Sequence, residues 1–201
     1  MGVLRSSILS GGLLLVLCCA AAADSDWQTV SLDNDPDFTI DVPSVVGKDY
    51  LPDASGRANG DLMEFQMGNK ADGYLFCSLN RSALDTPAVR QGIIDELNAT
   101  KGGDLCTPLE GASATKTLGS RTLTVNGQPA ASCAMSFVAA NAKPPGMVLS
   151  EAAVAGPGAL YVVTCNVRDT TQAKAEADWR TGRAALAAHI HQSLRMPKAA
   201  R

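Results

Sequence analysis

The sequence has very little histidine and none of the short motifs that mark the common enzyme families. Its only two histidines are His189 and His191. It contains no G-x-S-x-G elbow, no Walker loop and no G-x-G-x-x-G turn, which hydrolases, nucleotide-binding and dinucleotide-binding proteins use for their chemistry. A Ser-His-Asp triad would need one of these two histidines to face a cleft. We therefore expect a protein that is not an enzyme, with no catalytic residue and no cofactor.

An excess of positive charge and a membrane-spanning run are also missing. The formal net charge is -3 at pH 7, which gives no electrostatic basis for binding nucleic acid. The apolar run from Ile8 to Leu17 is too short to span a bilayer. It follows a start with one positive charge, Arg5, and precedes an Ala-rich exit, the pattern of a secretory signal peptide. The sequence predicts a signal peptide over residues 1–23 and one domain over residues 24–201.

The signal peptide predicts export to the periplasm or secretion. A second interpretation is an envelope lipoprotein anchored at Cys18 or Cys19, because bacterial lipoproteins carry their lipid on a cysteine just after the apolar run. Leu17 stands before Cys18, where the lipoprotein signal has a small residue. Membrane attachment is thus expected only through such lipidation.

Four cysteines remain once the leader is removed, namely Cys77, Cys106, Cys133 and Cys165. An even number of cysteines in an oxidising compartment predicts two disulfides. No C-x-x-C spacing is present, so a zinc ribbon or a thioredoxin-type site has no support.

Alternating apolar residues and turn sequences predict strands. Phe38, Ile40 and Val42 alternate with polar residues before Pro43, and "DLMEFQMG" and "GYLFCSLN" flank a turn, which predicts a hairpin. Further on, Asn126-Gly127, "AKPPG" and "GPG" separate four apolar segments. These short links predict a four-stranded antiparallel meander.

Two helices are predicted. The first runs from Pro87 to Ala99, capped by Asp85 or Thr86, and Cys106 follows it in a loop. The second is one Ala-rich amphipathic helix that ends at Pro197, with one apolar stripe formed by Trp179, Leu186, Ile190 and Leu194. The fold class is therefore α+β, an antiparallel sheet of about six or seven strands covered by two helices.

The meander also bears on how the cysteines pair. If one strand separates Cys133 from Cys165, the two lie about 9 to 10 Å apart. A disulfide needs Cα atoms within roughly 7 Å. This distance disfavours a Cys133–Cys165 bridge and, if all four cysteines are paired, a Cys77–Cys106 bridge. Two pairings remain, and of these we choose Cys77 with Cys165 and Cys106 with Cys133.

Neither the histidines nor the acidic residues form a metal-binding pattern. His189 and His191 are two residues apart, so on a helix their side chains point about 200° from each other, and we expect them to flank the buried face. The acidic run Asp33 to Asp37 resembles the start of a calcium loop, but Phe38 and Ser44 stand where an EF-hand needs Gly and Glu. We expect no metal site.

The order of elements resembles that of the PsbP-like family, whose fold is an α/β/α sandwich. The stretches that carry the resemblance are "FTIDVP", "LMEFQMGNKADGYLFCSL", "LTVNGQPAASCAMSF" and "HIHQSL". The resemblance implies a non-enzymatic binding or accessory domain, with an unknown protein or complex of the bacterial cell envelope as its partner. We expect the protein to be a monomer. A small periplasmic hydrolase that uses carboxylates or a histidine is the alternative.

Overall fold

A computed structural model of the chain describes residues 27–32, 35–43, 60–69 and 73–196. The predicted signal peptide over 1–23 lies outside these residues, as do Cys18, Cys19 and, in the acidic run, Asp33.

A six-stranded antiparallel sheet forms the centre of the fold, and a two-stranded hairpin lies beside it. The strands are β1 (Trp27–Leu32), β2 (Asp35–Pro43), β3 (Gly60–Asn69), β4 (Gly73–Ala83), β5 (Ala112–Val125), β6 (Gln128–Ala139), β7 (Gly146–Ala155) and β8 (Ala159–Asp169). The central strand order is β3-β4-β8-β7-β6-β5. The predicted hairpin (β3 and β4) and meander (β5 to β8) are both confirmed, and pairing of β4 with β8 joins them into one sheet.

The described residues hold more strand than the sequence predicted. The strand β1 was not predicted, and β5 begins at Ala112, well before the alternating pattern starts. Most side chains of β5 are exposed, so this strand carries little apolar alternation for the sequence pattern to reveal. Two register shifts, between Ser113 and Lys116 and between Thr117 and Gly119, interrupt its pairing with β6.

The first helix, α1 (Pro87–Thr100), begins and ends close to its predicted bounds. The Thr86 hydroxyl accepts a hydrogen bond from the Val89 N–H at 3.2 Å. A short 3-10 helix, Gly103–Cys106, follows, so Cys106, which was predicted to lie in a loop, ends a single 3-10 turn in the connection between α1 and β5. Gly102 makes the turn with φ 76°, and a Cβ there would lie 2.9 Å from the Ala131 Cβ, which is why a residue without a side chain is needed.

The predicted continuous C-terminal helix is two helices, α2 (Gln172–Asp178) and α3 (Ala184–Ser193), joined by a π-helical turn, Trp179–Arg183. Helical geometry is lost at Thr181 and at Gly182, where φ is 126°. Trp179, Ile190 and Leu194 are buried, as the predicted stripe requires. After α3, the backbones of Arg195 and Thr39 exchange two hydrogen bonds, so the chain end is fixed to β2.

Helices lie on both faces of the central sheet. On one face, α2, α3 and the hairpin strand β2 pack with the main core, which includes Phe38, Ile40 and Val163. On the other face, Ile94 and Leu97 of α1 pack on Ala131, Ala153 and Ala155. The predicted α+β class, an antiparallel sheet covered by helices, is confirmed.

Candidate functional site: a pocket between the edge strand and the last helix

A pocket of about 300 Å³ opens between α3 and the outer strands of the sheet. Its floor comes from Ser132 and Ala134 of β6 and Ser150 of β7, and Trp179 also lines it. Arg121 of β5 and His191 of α3 are its two titratable lining residues.

Small side chains explain why this space is not filled. At the pocket, Gly119 of β5 pairs with Ala134 of β6, and Ala134 pairs with Ser150 of β7. The helix contributes Ala184 and Ala188 to the facing wall. Protein interiors are normally packed without such gaps, so a run of Gly, Ala and Ser on both sides leaves a cavity that larger residues would close.

His191 lies in the wall of this pocket and is only 4% exposed. No residue of the described chain forms a hydrogen bond to its Nε2 atom. Burial, and to a smaller extent the nearby charge of Arg121, lowers the pKa of His191 to about 4. The ring is therefore neutral near pH 7, with one nitrogen able to donate and the other to accept a hydrogen bond. His191 was expected at the edge of the buried face, and it lies within that face instead.

Arg121 supplies the only formal charge among the pocket-lining residues. It projects from the edge strand β5, where its neighbour across the pairing is Ser132. Within the described ranges no carboxylate forms an ion pair with it. The polar side chains that line the pocket are thus a guanidinium, a neutral imidazole, the Gln192 amide and three serines, Ser120, Ser132 and Ser150.

His189 has a different environment from His191, as the two-residue spacing predicted. Its ring stacks on Trp27 of β1, and its Nε2 atom lies 3.0 Å from the Asp41 Oδ2 atom. The Thr29 hydroxyl donates to Asp41 Oδ1 at 2.8 Å, and the Asp41 backbone N–H donates to the Ser193 hydroxyl. These contacts fasten the β1–β2 hairpin to α3. Neither Thr29 nor Ser193 forms a hydrogen bond to His189, so the group lacks a nucleophile–base pair.

A second polar cluster surrounds the buried carboxylate of Glu176 on α2. Glu176 accepts hydrogen bonds from Ser136 at 2.8 Å and from Lys116 at 3.1 Å, and it forms an ion pair with Arg180. The hydrogen bond from Ser136 contributes most, and that from Lys116 next, to holding the pKa of Glu176 below its ordinary value. Because this carboxylate is satisfied by protein groups, it anchors α2 to β5 and β6.

The four predicted cysteines lie in two pairs. Cys77 of β4 and Cys165 of β8 are directly opposite each other, with Cα atoms 4.1 Å apart, and they form a disulfide. Cys106 and Cys133 form the second, with Cα atoms 5.6 Å apart, and it ties the 3-10 helix to β6. In the described part of the chain, no three His, Cys, Asp or Glu side chains group as metal ligands.

Sequence reasoning did not single out the pocket. Trp179 was expected only as part of an apolar stripe, and Arg121, Ser132 and Ser150 were not singled out. The one available signal was the density of Ala, Ser and Gly on segments predicted to face each other.

The fold and the cysteine pairs define a class: an α+β domain with an antiparallel sheet and two disulfides, which is typical of exported proteins. In the described residues, no helix has the length and apolar character needed to cross a membrane.

No protein-family model and no curated protein matches this chain. Among solved structures, the chain is similar to cyanobacterial PsbP from Synechocystis, with 15% identity over 89% of this chain and 97% of that one, at a TM-score of 0.48. A Pseudomonas aeruginosa protein of unknown function gives 10% identity over 86% and 99%, with a TM-score of 0.48. LpqN of Mycobacterium tuberculosis, which is involved in cell envelope biogenesis, gives 16% identity over 86% and 94%, with a TM-score of 0.42. One of these structures is a PsbP protein, and the order of elements in this sequence resembles that family. Identities this low say nothing about activity.

Proposed function

We propose that the protein is an exported, non-enzymatic binding or accessory domain of the bacterial cell envelope. The observation that carries this proposal is the composition of the pocket. It offers Arg121 and a neutral His191 without any Asp or Glu among its lining residues. Acid–base or nucleophilic catalysis needs a base held against a nucleophile or a second titratable group, whereas these groups suit recognition of a ligand.

The alternative, a small hydrolase, would rest on the contact between His189 and Asp41. That pair lies at the surface, with 43% of the His189 side chain exposed. Its neighbouring hydroxyls bond to Asp41 and not to the imidazole. We assign this cluster a structural role in holding the hairpin.

Two measurements test the proposal. The first is affinity purification of the full chain from native envelope extract, with mass spectrometry of the proteins that co-purify. We expect one partner at near-stoichiometric yield, and recovery of none counts against the accessory role. The same capture is repeated with Arg121→Gln and with Arg168→Gln, which removes one exposed charge away from the pocket. A loss of the partner in Arg121→Gln alone would show that the partner binds at the pocket.

The second measurement addresses the hydrolase alternative. The purified protein is assayed with p-nitrophenyl acetate and p-nitrophenyl phosphate, beside its His189→Ala and His191→Gln variants. We expect equal background rates for all three proteins. A turnover that disappears in either variant would show that the protein is an enzyme.

A further inference from the structure

We propose that the pocket between β5 and α3 binds a small organic anion, a carboxylate or a phosphate monoester, with its charged group on Arg121 and its body against Trp179. The inference rests on the proposed binding function and names the class of ligand.

Charge selects the anion. Arg121 is the only charged residue that lines the pocket, and no described carboxylate pairs with it. A guanidinium presents a planar fork of N–H donors that matches the oxygens of a carboxylate or phosphate. The Ser132 hydroxyl lies in the facing position on the neighbouring strand, where it can add a further hydrogen bond.

His191 supplies a second, independent indication of a ligand. Its Nε2 atom is buried in the pocket wall and bonds to no described protein group. Buried polar side-chain atoms in folded proteins nearly always have a partner. The atom is enclosed by the protein, so an oxygen of a ligand in the pocket would reach it only if the His191 ring turned toward the pocket.

Size and shape limit the rest of the molecule. A volume of about 300 Å³ lies at the small end of the range for small-molecule pockets, so the ligand is a compact small molecule. Trp179, Leu123 and the alanines of α3 form the apolar part of the lining. A compact apolar body with one anionic group fits this arrangement, because apolar walls with a few polar groups are typical of small-molecule sites.

The experiment is a titration of the full protein with benzoate, phenyl phosphate and the neutral analogue benzamide. Binding is followed by the indole N–H resonance of Trp179 and the ring nitrogen resonances of His191. We expect a dissociation constant in the millimolar range or tighter for at least one anion. Benzamide should bind at least about tenfold more weakly than that anion. The anion that binds more tightly identifies the headgroup.

Arg121→Gln is expected to weaken binding of the anion about tenfold or more, because a charge-assisted bond is lost. Arg168→Gln removes the same charge from an exposed position on β8 and should leave binding unchanged. Equal binding of benzoate and benzamide, no binding of either anion, or an unchanged affinity in Arg121→Gln would overturn the proposal. If the affinity purification still recovered a partner after such a result, the accessory function would be supported and only this ligand site would be wrong.

Discussion

Trp27 and His189 stack face to face, with ring centroids 3.8 Å apart and ring planes inclined by 16°. The contact joins the first described strand to the last helix, and Asp41 of β2 holds the imidazole from its edge at 3.0 Å. The hairpin therefore depends on one histidine for a ring contact and for a polar contact at the same time.

Replacing His189 with alanine should lower the free energy of unfolding by about 1 to 2 kcal/mol, since a stacked aromatic pair and a partly exposed polar contact with Asp41 are both lost. His189→Phe keeps the stacking and removes the contact with Asp41, so its loss should be smaller. Urea denaturation followed by circular dichroism measures both. An alanine variant as stable as the original protein would show that the hairpin does not need this contact.

Acid should destabilise the protein through His191. Its folded-state pKa of about 4 lies below the ordinary value of 6.5, so between these values the unfolded chain binds a proton that the folded chain does not. Stability is therefore fully present above about pH 6.5 and falls as the pH drops toward 4, by up to about 3 kcal/mol.

The matched variant for this effect is His191→Leu, measured by urea denaturation at pH 7 and at pH 4.5. We expect the original protein to lose more stability on acidification than the variant. The Glu151 carboxyl, whose pKa burial raises, has the opposite dependence but is present in both proteins. Equal losses would contradict the assignment of a buried neutral histidine.

Glu176→Gln should destabilise the fold by about 1 to 3 kcal/mol, because the buried carboxylate loses its charge-assisted bonds to Lys116 and Arg180. Lys116→Gln is the control, and its side chain is 57% exposed, so its loss should stay below about 1 kcal/mol. Thermal unfolding of both variants gives the comparison. A larger loss for the lysine variant would reverse our account of this cluster.

Two glycines should respond to alanine with opposite signs. Gly182 has φ 126° in the break between α2 and α3, so Gly182→Ala should cost about 1 to 3 kcal/mol of backbone strain. Gly92 lies inside α1 with no atom within 4 Å of an added Cβ, so Gly92→Ala should stabilise by about 0.5 to 1 kcal/mol. Melting temperatures test the pair, and a stabilising Gly182→Ala would mean that the helix runs through the break.

Peptide mapping of the non-reduced protein should yield one linked pair that contains Cys77 and Cys165 and another that contains Cys106 and Cys133. Both pairs should disappear when the sample is reduced before digestion. A peptide that links Cys133 to Cys165 would contradict the strand order, because β7 lies between the strands that carry them.

Local patterns were sufficient to predict most of the fold. Pro87 after Thr86 predicted the start of α1, and Asn126-Gly127 predicted the turn between β5 and β6, because both signals act within a few residues. The break at Gly182 was missed because the apolar stripe continues across it, although a glycine in an Ala-rich helix was a visible signal.

The candidate site could not be predicted in the same way. It depends on which small residues of β6 and β7 face which alanines of α3, and strand order, register and the helix break together determine that. The sequence placed His189 and His191 apart, but it could not tell which of the two would be buried.

The two register shifts in β5 have a consequence for the protein in a crowded compartment. Among the described strands, none pairs with the outer side of β5, and a long open edge invites strands of other chains to add to the sheet and start aggregates. The irregular stretch at its start, where Ala114 has φ 53°, breaks the regular ladder that an incoming strand would need. The irregular start of β5 thus limits the stretch that could pair regularly with another chain to its second half, from Gly119 to Val125.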